Sequence, residues 1–389
     1  MSSNYDMSLS EKDFQNRIYN ETEIRDNICE ILNIDSSQCR FYREVEFING
    51  ITSDFIICDN NYEMKAIIEC KRADIGVTEY VRGVGQLFQY EYFQEEKIQP
   101  KKITQIKYTS VNNENILIIP SGFIKNTSLN IGRFKYPKNS RILEVHDSNN
   151  VVREITKNEL KRISESENKN IITICQYYVR DNRLFECFIL IKVLYFLECV
   201  GLKNFNRKEI ENEFLRKIMV INNRNWRNAF ITLSSLGIID NNKIKKQALI
   251  YTNVSIEIFI NSIYEEYIFF FIDEIMEILV ENSYKMIVNL NNAQISCLLR
   301  KKYNNKDILY LTDSSERYIS SWLNIMRDDF GCIDFEAKSS LREIKYIPKE
   351  LNSSIRVQKI KKYSKAKNYT DSLGKKLKNI LKEYEGNLL

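Results

Sequence analysis

Between residues 44 and 90, one apolar run starts with an acid and the next ends in an acid and a lysine, and that pattern constrains the fold more than any other stretch. Ile51-Thr-Ser-Asp54-Phe-Ile-Ile leads to a turn at Asp59-Asn60-Asn61, and Met64-Lys-Ala-Ile-Ile-Glu69-Cys70-Lys71 follows. Gly85-Gln86-Leu-Phe-Gln-Tyr90 comes after a polar interval. β-Branched residues crowd both runs and Asx residues supply the turn, so the runs read as adjacent β-strands. In a strand, residues i and i+2 share a face. Glu69 and Lys71 therefore point together, and Cys70 points away. The plain alternative is a solvated cross-strand charge pair. It sits poorly with Ala66-Ile67-Ile68, which reads as a strand covered on both faces, where charges need a reason.

Two carboxylates and an ammonium on one sheet surface suit a particular chemistry. Asp54, Glu69 and the backbone carbonyl of Cys70 can hold Mg²⁺ through oxygen ligands and leave positions open for water and phosphate. Such a metal lowers the pKa of bound water and offsets charge that develops on a phosphate. Lys71 can orient or deprotonate that water, or steady the phosphate. This arrangement resembles the PD-(D/E)xK nuclease superfamily, with Asp54 at the start of one strand and Glu69-x-Lys71 at the end of the next. Gln86 and Tyr90 match the QxxxY element of some of these nucleases, type I restriction subunits among them; on a helix, i and i+4 share a face. Ser53 stands where the family name has proline. The resemblance covers residues 20 to 140 or so. It implies catalytic roles for Asp54, Glu69, Lys71, Gln86 and Tyr90, metal ligation by Asp54, Glu69 and Cys70, and Mg²⁺ as cofactor. In several members a glutamate on the first helix approaches the metal, which makes Glu23 a further candidate; an exposed helix carboxylate is the competing reading.

The rest of the composition narrows the chemistry. A chain of 389 residues has room for two or three domains, and 43% hydrophobic with 28% charged residues fits a soluble globular protein. No stretch reaches the ~18 uninterrupted apolar residues of a membrane helix. The N-terminus has no basic-then-apolar signal pattern, so a cytoplasmic protein is expected. Nine cysteines are scattered without a CxxC, which reads as reduced, mostly buried thiols rather than a zinc site. A single histidine, His146, leaves little for His-based nucleophilic, HNH-type or zinc chemistry, and reads as a surface loop residue.

Taken in order, residues 8–34 read as helix, with Ser8 and Ser10 as possible caps. Phe41, Arg43, Val45 and Phe47 alternate as a strand, closed by a turn at Asn49-Gly50, and Glu44 or Glu46 can flank the metal site. Residues 77–95 are a helix, 115–124 a buried strand, and 125–170 a late strand, a helix and a linker. This gives a mixed α/β, restriction-endonuclease-like core, with the nuclease domain at 1–170. From residue 171 the pattern turns helical. Three helices and a two-stranded hairpin, the second strand near Ala248-Leu-Ile-Tyr251, make a winged-helix-like DNA-binding domain at 171–255. A linking helix opens a second such unit at 256–350, whose later helix is capped by Asp313 or Ser314 and ended by Gly331. A weak internal repeat relates Trp226…Gly237 to Trp322…Gly331. The tail, 351–389, holds ten Lys or Arg against three acids and so is basic, while the remainder is slightly acidic.

On the third helix, Arg224, Asn225, Arg227 and Asn228 stand off the apolar face, and Arg and Asn suit guanine and adenine edges. Ser315, Arg317, Lys361 and Lys362 are further DNA-binding candidates. A fold used only for protein contacts is the alternative. The expectation is a site-specific, restriction-type endonuclease that hydrolyses double-stranded DNA with Mg²⁺. A homodimer would make paired nicks, and a cognate methyltransferase is expected by analogy. The alternatives are a non-catalytic DNA-binding regulator and a defence nuclease acting on modified DNA. No P-loop is present, so this chain is not itself an ATP-driven translocase.

Overall fold

The computed structural model describes residues 10–386 except 109–112, 124–128, 148, 170, 176, 178, 180–182, 202–204 and 219–225. The chain divides into two compact units, 1–169 and 170–389. In the first, α1 (Glu11–Asn20) and α2 (Thr22–Ile31) precede β1 (Cys39–Glu46), β2 (Thr52–Asp59) and β3 (Met64–Cys70). Then come α3 (Val77–Glu95), β4 (Glu114–Pro120), β5 (Ser140–Val145), β6 (Val152–Glu154) and α4 (Lys157–Asn168). The six strands form one mixed sheet in sequence order. β3–β4 and β4–β5 are parallel, and the other pairs are antiparallel.

Alternation along the strands sorts the core into two layers. Phe55, Ile57, Ala66, Ile68 and Cys70 pack with Phe14 and Ile18 of α1 and Ile24 and Ile28 of α2. Ile56, Cys58 and Ile67 pack with Tyr80, Val84, Leu87 and Tyr90 of α3 on the other face. β3 is thus covered on both sides, which explains its unbroken apolar run. Each Val, Leu, Ile or Phe among them, taken fully from water, contributes ~1.5–3 kcal/mol.

The single helix expected over 8–34 is two. Glu21 adopts an extended conformation (φ −81°, ψ 105°) and separates α1 from α2. On one straight helix Phe14 and Ile24 would stand about 80° apart around the axis, so the break lets both apolar pairs meet the sheet. Ser10 does cap α1, accepting from the Asp13 amide at 3.1 Å. Asn49 and Gly50 form the expected turn, at φ +58° and +72°. His146 is a correction. It directly follows β5 and is only 1% exposed, with its carbonyl held by Arg17 at 2.6 Å. Burial, with Arg153 and Arg17 nearby, pushes its imidazole down to about 3, so it stays neutral.

In the second unit the apolar run becomes a helix, Leu184–Cys199, buried on most sides. Helix Arg227–Ser235 ends at Gly237 (φ +70°), followed by the short hairpin Ile239–Asp240/Lys243–Ile244. The strand expected near Ala248 is instead a 3₁₀ helix, Lys246–Thr252, whose buried Ala248 and Tyr251 keep an i, i+3 spacing. Helix Ile256–Ile263 continues through a π turn into Phe269–Glu281. Strand Ile287–Asn289, helix Asn292–Lys302, helix Arg317–Ile325 and strands Ile333–Asp334 and Leu341–Ile344 follow. The last strand pairs antiparallel with both others and lies between them. The Asp313 or Ser314 cap does not form. Asp313 accepts from the Tyr310 amide, and left-handed Glu316 (φ +65°) begins the helix. A π turn, Met326–Phe330, carries the helix on to Gly331, which ends it at φ +64°, where a Cβ would lie 2.3 Å from the Tyr363 carbonyl carbon.

The second core runs continuously from Ile174 to Ile380, across residues 255 and 350. The basic tail belongs to it: Ile360, Leu373, Leu377 and Ile380 are buried, while Lys361 and Lys362 face solvent. Among the described residues, no helix is long and apolar enough to cross a membrane.

Candidate active site

The start of β2 and the end of β3 meet. Phe55 pairs with Ile68, so the next positions outward are Asp54 and Glu69. Asp54 Oδ2 accepts from the Cys70 amide at 2.6 Å, which fixes the carboxylate across the strand end. Glu69 lies on the same face as Ile67, towards α3. Its Oε2 accepts from the Tyr90 hydroxyl at 2.6 Å and from Gln86 Nε2 at 3.1 Å. Its Oε1 receives Lys71 Nζ at 2.6 Å. Gln86 and Tyr90 sit one turn apart on α3, so one helix face grips one carboxylate oxygen while the strand supplies a cation to the other. The Cys70 side chain points into the opposite core layer, as alternation requires.

Two further residues reach this cluster from α1. Gln15 Nε2 donates to Asp54 Oδ1 at 2.8 Å, and Glu11 Oε2 stands 3.6 Å from Lys71 Nζ. Sequence reading missed both. Their spacing of four fits a helix face, but nothing in a single sequence says which face meets β2. Glu23 does not take that place: it lies on α2 with its carboxylate accepting from Asn150 at 3.2 Å. Glu44 pairs with Lys12 and Glu46 with Lys101, both away from the cluster's own bonds.

The cluster is electrostatically expensive. Glu69 is 3% and Lys71 5% exposed. Burial, then the charge of Glu69, pushes Asp54 up to about 8, against the pull of the Cys70 amide and Lys71. Burial also raises Glu69, although Lys71 and Tyr90 oppose it. Burial alone would lower Lys71, but Glu69 beside it turns the net shift upward. Tyr90 is raised by burial and by Glu69, so its hydroxyl remains a donor. Two carboxyls against each other at low dielectric hold a proton at neutral pH unless a cation replaces it.

No group of three His, Cys, Asp or Glu side chains with metal-binding geometry occurs among the described residues. Mg²⁺ does not need one, since it keeps several waters and binds through one or two carboxylates. Asp54 and Glu69, hard oxygen donors with one carboxyl held neutral by the other's charge, fit such an ion chemically.

The residues expected to touch DNA lie in the second unit. Arg227, Ser315, Arg317, Lys361 and Lys362 are exposed and Asn228 is half-buried, while Arg224 and Asn225 lie outside the described residues. Comparison of the chain with protein-family models, with curated proteins and with solved structures finds no match.

Proposed function

We propose that the chain is a Mg²⁺-dependent deoxyribonuclease that cuts double-stranded DNA at specific sites, with Asp54, Glu69 and Lys71 as its centre. The observation that carries this reading is convergence. Five residues expected from the strand pattern and the family resemblance come together from two strand ends and one helix: Lys71, Gln86 and Tyr90 hydrogen-bond Glu69, and Asp54 stands opposite Glu69 on the neighbouring strand, held by the Cys70 amide. A buried charge cluster of this kind is a poor way to stabilise a fold, because desolvation offsets much of the pairing energy. A site that must take a cation and a phosphate has a use for it.

Asp54 and Glu69 would hold the ion, with the Cys70 carbonyl as a third oxygen. When bound, Mg²⁺ supplies charge for the phosphate and a more acidic water. The chain's own residues do the rest. Tyr90 and Gln86 fix the rotamer of Glu69. Lys71 presents its ammonium to a non-bridging phosphate oxygen and orients the attacking water. Gln15 holds Asp54 from the opposite oxygen.

The second unit supports a reader for this cutter. Three helices and the three-stranded sheet of Ile287–Asn289, Ile333–Asp334 and Leu341–Ile344, interrupted by the short strand Asp307–Ile308, support a winged-helix-like reading of 269–344, and the helices from Arg227 and from Arg317 each expose Arg at their start. Cutting both strands calls for two centres, hence a homodimer on DNA. A methyltransferase of the same specificity would protect the host. The test is digestion of unmethylated plasmid and phage DNA with Mg²⁺ or EDTA, beside Glu69→Ala. Discrete bands that need both Mg²⁺ and Glu69 are expected, and sequencing their ends gives the site. Specific binding without cutting would make the chain a regulator instead.

A further inference from the structure

Gly83 occupies the middle of α3, where glycine destabilises a helix relative to alanine. Left-handed backbone is not the reason, since the residue is helical. Its surroundings supply one. A Cβ at this position would lie 2.7 Å from Lys71 Cε, 3.4 Å from Cγ and 3.5 Å from Cδ. The lysine stem therefore runs through the space a side chain would fill. Gly85, two residues on, has open space at the same point, so the close approach is particular to Gly83. Residues 83, 86 and 90 share one face of α3. That face holds Glu69 by hydrogen bonds from Gln86 and Tyr90, and accommodates Lys71 by lacking a side chain.

We propose that Gly83 is the positioning residue for Lys71, a groove in α3 that lets the buried ammonium reach Glu69 Oε1. The functional consequence rests on the nuclease reading; the contact itself does not. A methyl group here displaces Cε, and the ammonium with it, from its 2.6 Å contact with Glu69. The glycine thus makes room for Lys71 at a cost in helix propensity.

The test compares Gly83→Ala, Lys71→Ala and the double variant with the parent. Melting temperature, the rate of Lys71 labelling by an amine-reactive ester (read by mass spectrometry) and Mg²⁺-dependent plasmid cleavage are measured. In Gly83→Ala, Lys71 should label at least tenfold faster and kcat should fall at least tenfold with KM for DNA unchanged. Melting should drop in Gly83→Ala but not when the same change is made in the Lys71→Ala background, where the alanine has room. Should Gly83→Ala fail to fold, folding of the double variant supports the proposal, and failure of both overturns it. Unchanged labelling, or an equal loss of melting temperature with and without Lys71, also overturns it. If the parent cuts no DNA while labelling and melting behave as described, the positioning role stands and the nuclease reading falls.

Discussion

Half-buried Asp54 in the first unit and fully buried Asp329 in the second are both acids pushed up to about 8, chiefly by desolvation. Their surroundings differ. Asp329 Oδ1 accepts from the Phe185 amide at 2.9 Å, at the start of helix Leu184–Cys199, and its Oδ2 has no hydrogen-bond partner among the described residues. It caps a helix from a distance and meets the positive end of that helix. Asp54 is raised further by a second carboxylate, Glu69, with Lys71, Gln15 and Tyr90 around the pair. A shifted pKa therefore does not by itself mark a site. Convergence of groups that disagree electrostatically does, because packing alone gives no reason to bring two acids together.

The comparison can be broken at several strengths. Lys71→Ala should lower cleavage by about a thousandfold, the scale of removing one preorganised charge from a phosphate site, while DNA binding in a gel shift is retained. Full cleavage would make the cluster structural, like Asp329. Mg²⁺ binding comes next. Asp54 must lose its proton to ligate, so affinity by calorimetry should rise about tenfold per pH unit up to about 8 and level off above it. A flat profile would remove the carboxyl from the ion. Tyr90→Phe deletes the 2.6 Å bond to Glu69 and should reduce kcat about tenfold, with a small change in melting.

The smallest effect belongs to Asp329. At pH below about 3.8, where its contribution is full, Asp329→Ala should cost about 1–2 kcal/mol in urea unfolding, and at the cleavage pH it should leave cleavage untouched. The sign with pH follows from its raised value. The unfolded acid titrates near 3.8 and the folded one near about 8, so its contribution is full below 3.8 and is lost as pH rises through that window. The alanine variant should lack this slope.

Much of the first unit is legible in the sequence. Period-two alternation and Asx turns locate β1 to β3, and the helix expected over 77–95 forms at those residues. Asp54, Glu69 and Lys71 stand out because charge at the end of a two-sided apolar strand is costly. What sequence does not carry is which surfaces meet. Glu11 and Gln15 look like ordinary helix polar residues until α1 is laid on β2. Glu23 is one helix too late because the chain turns at Glu21. His146 reads as polar loop, yet a neutral imidazole can be buried once Arg17 takes its carbonyl. Near Ala248, apolar residues are compatible with both strand and 3₁₀ spacing, and local pattern does not choose between them.

The central claim is tested most directly by Mg²⁺-dependent cleavage of supercoiled, unmethylated DNA under single-turnover conditions, with the parent, Asp54→Asn and Asp329→Asn side by side. Both substitutions remove a carboxyl raised to about 8 and keep its shape. Cleavage by the parent and by Asp329→Asn, with loss in Asp54→Asn, is the predicted result. Cleavage by Asp54→Asn at the parent rate would contradict it.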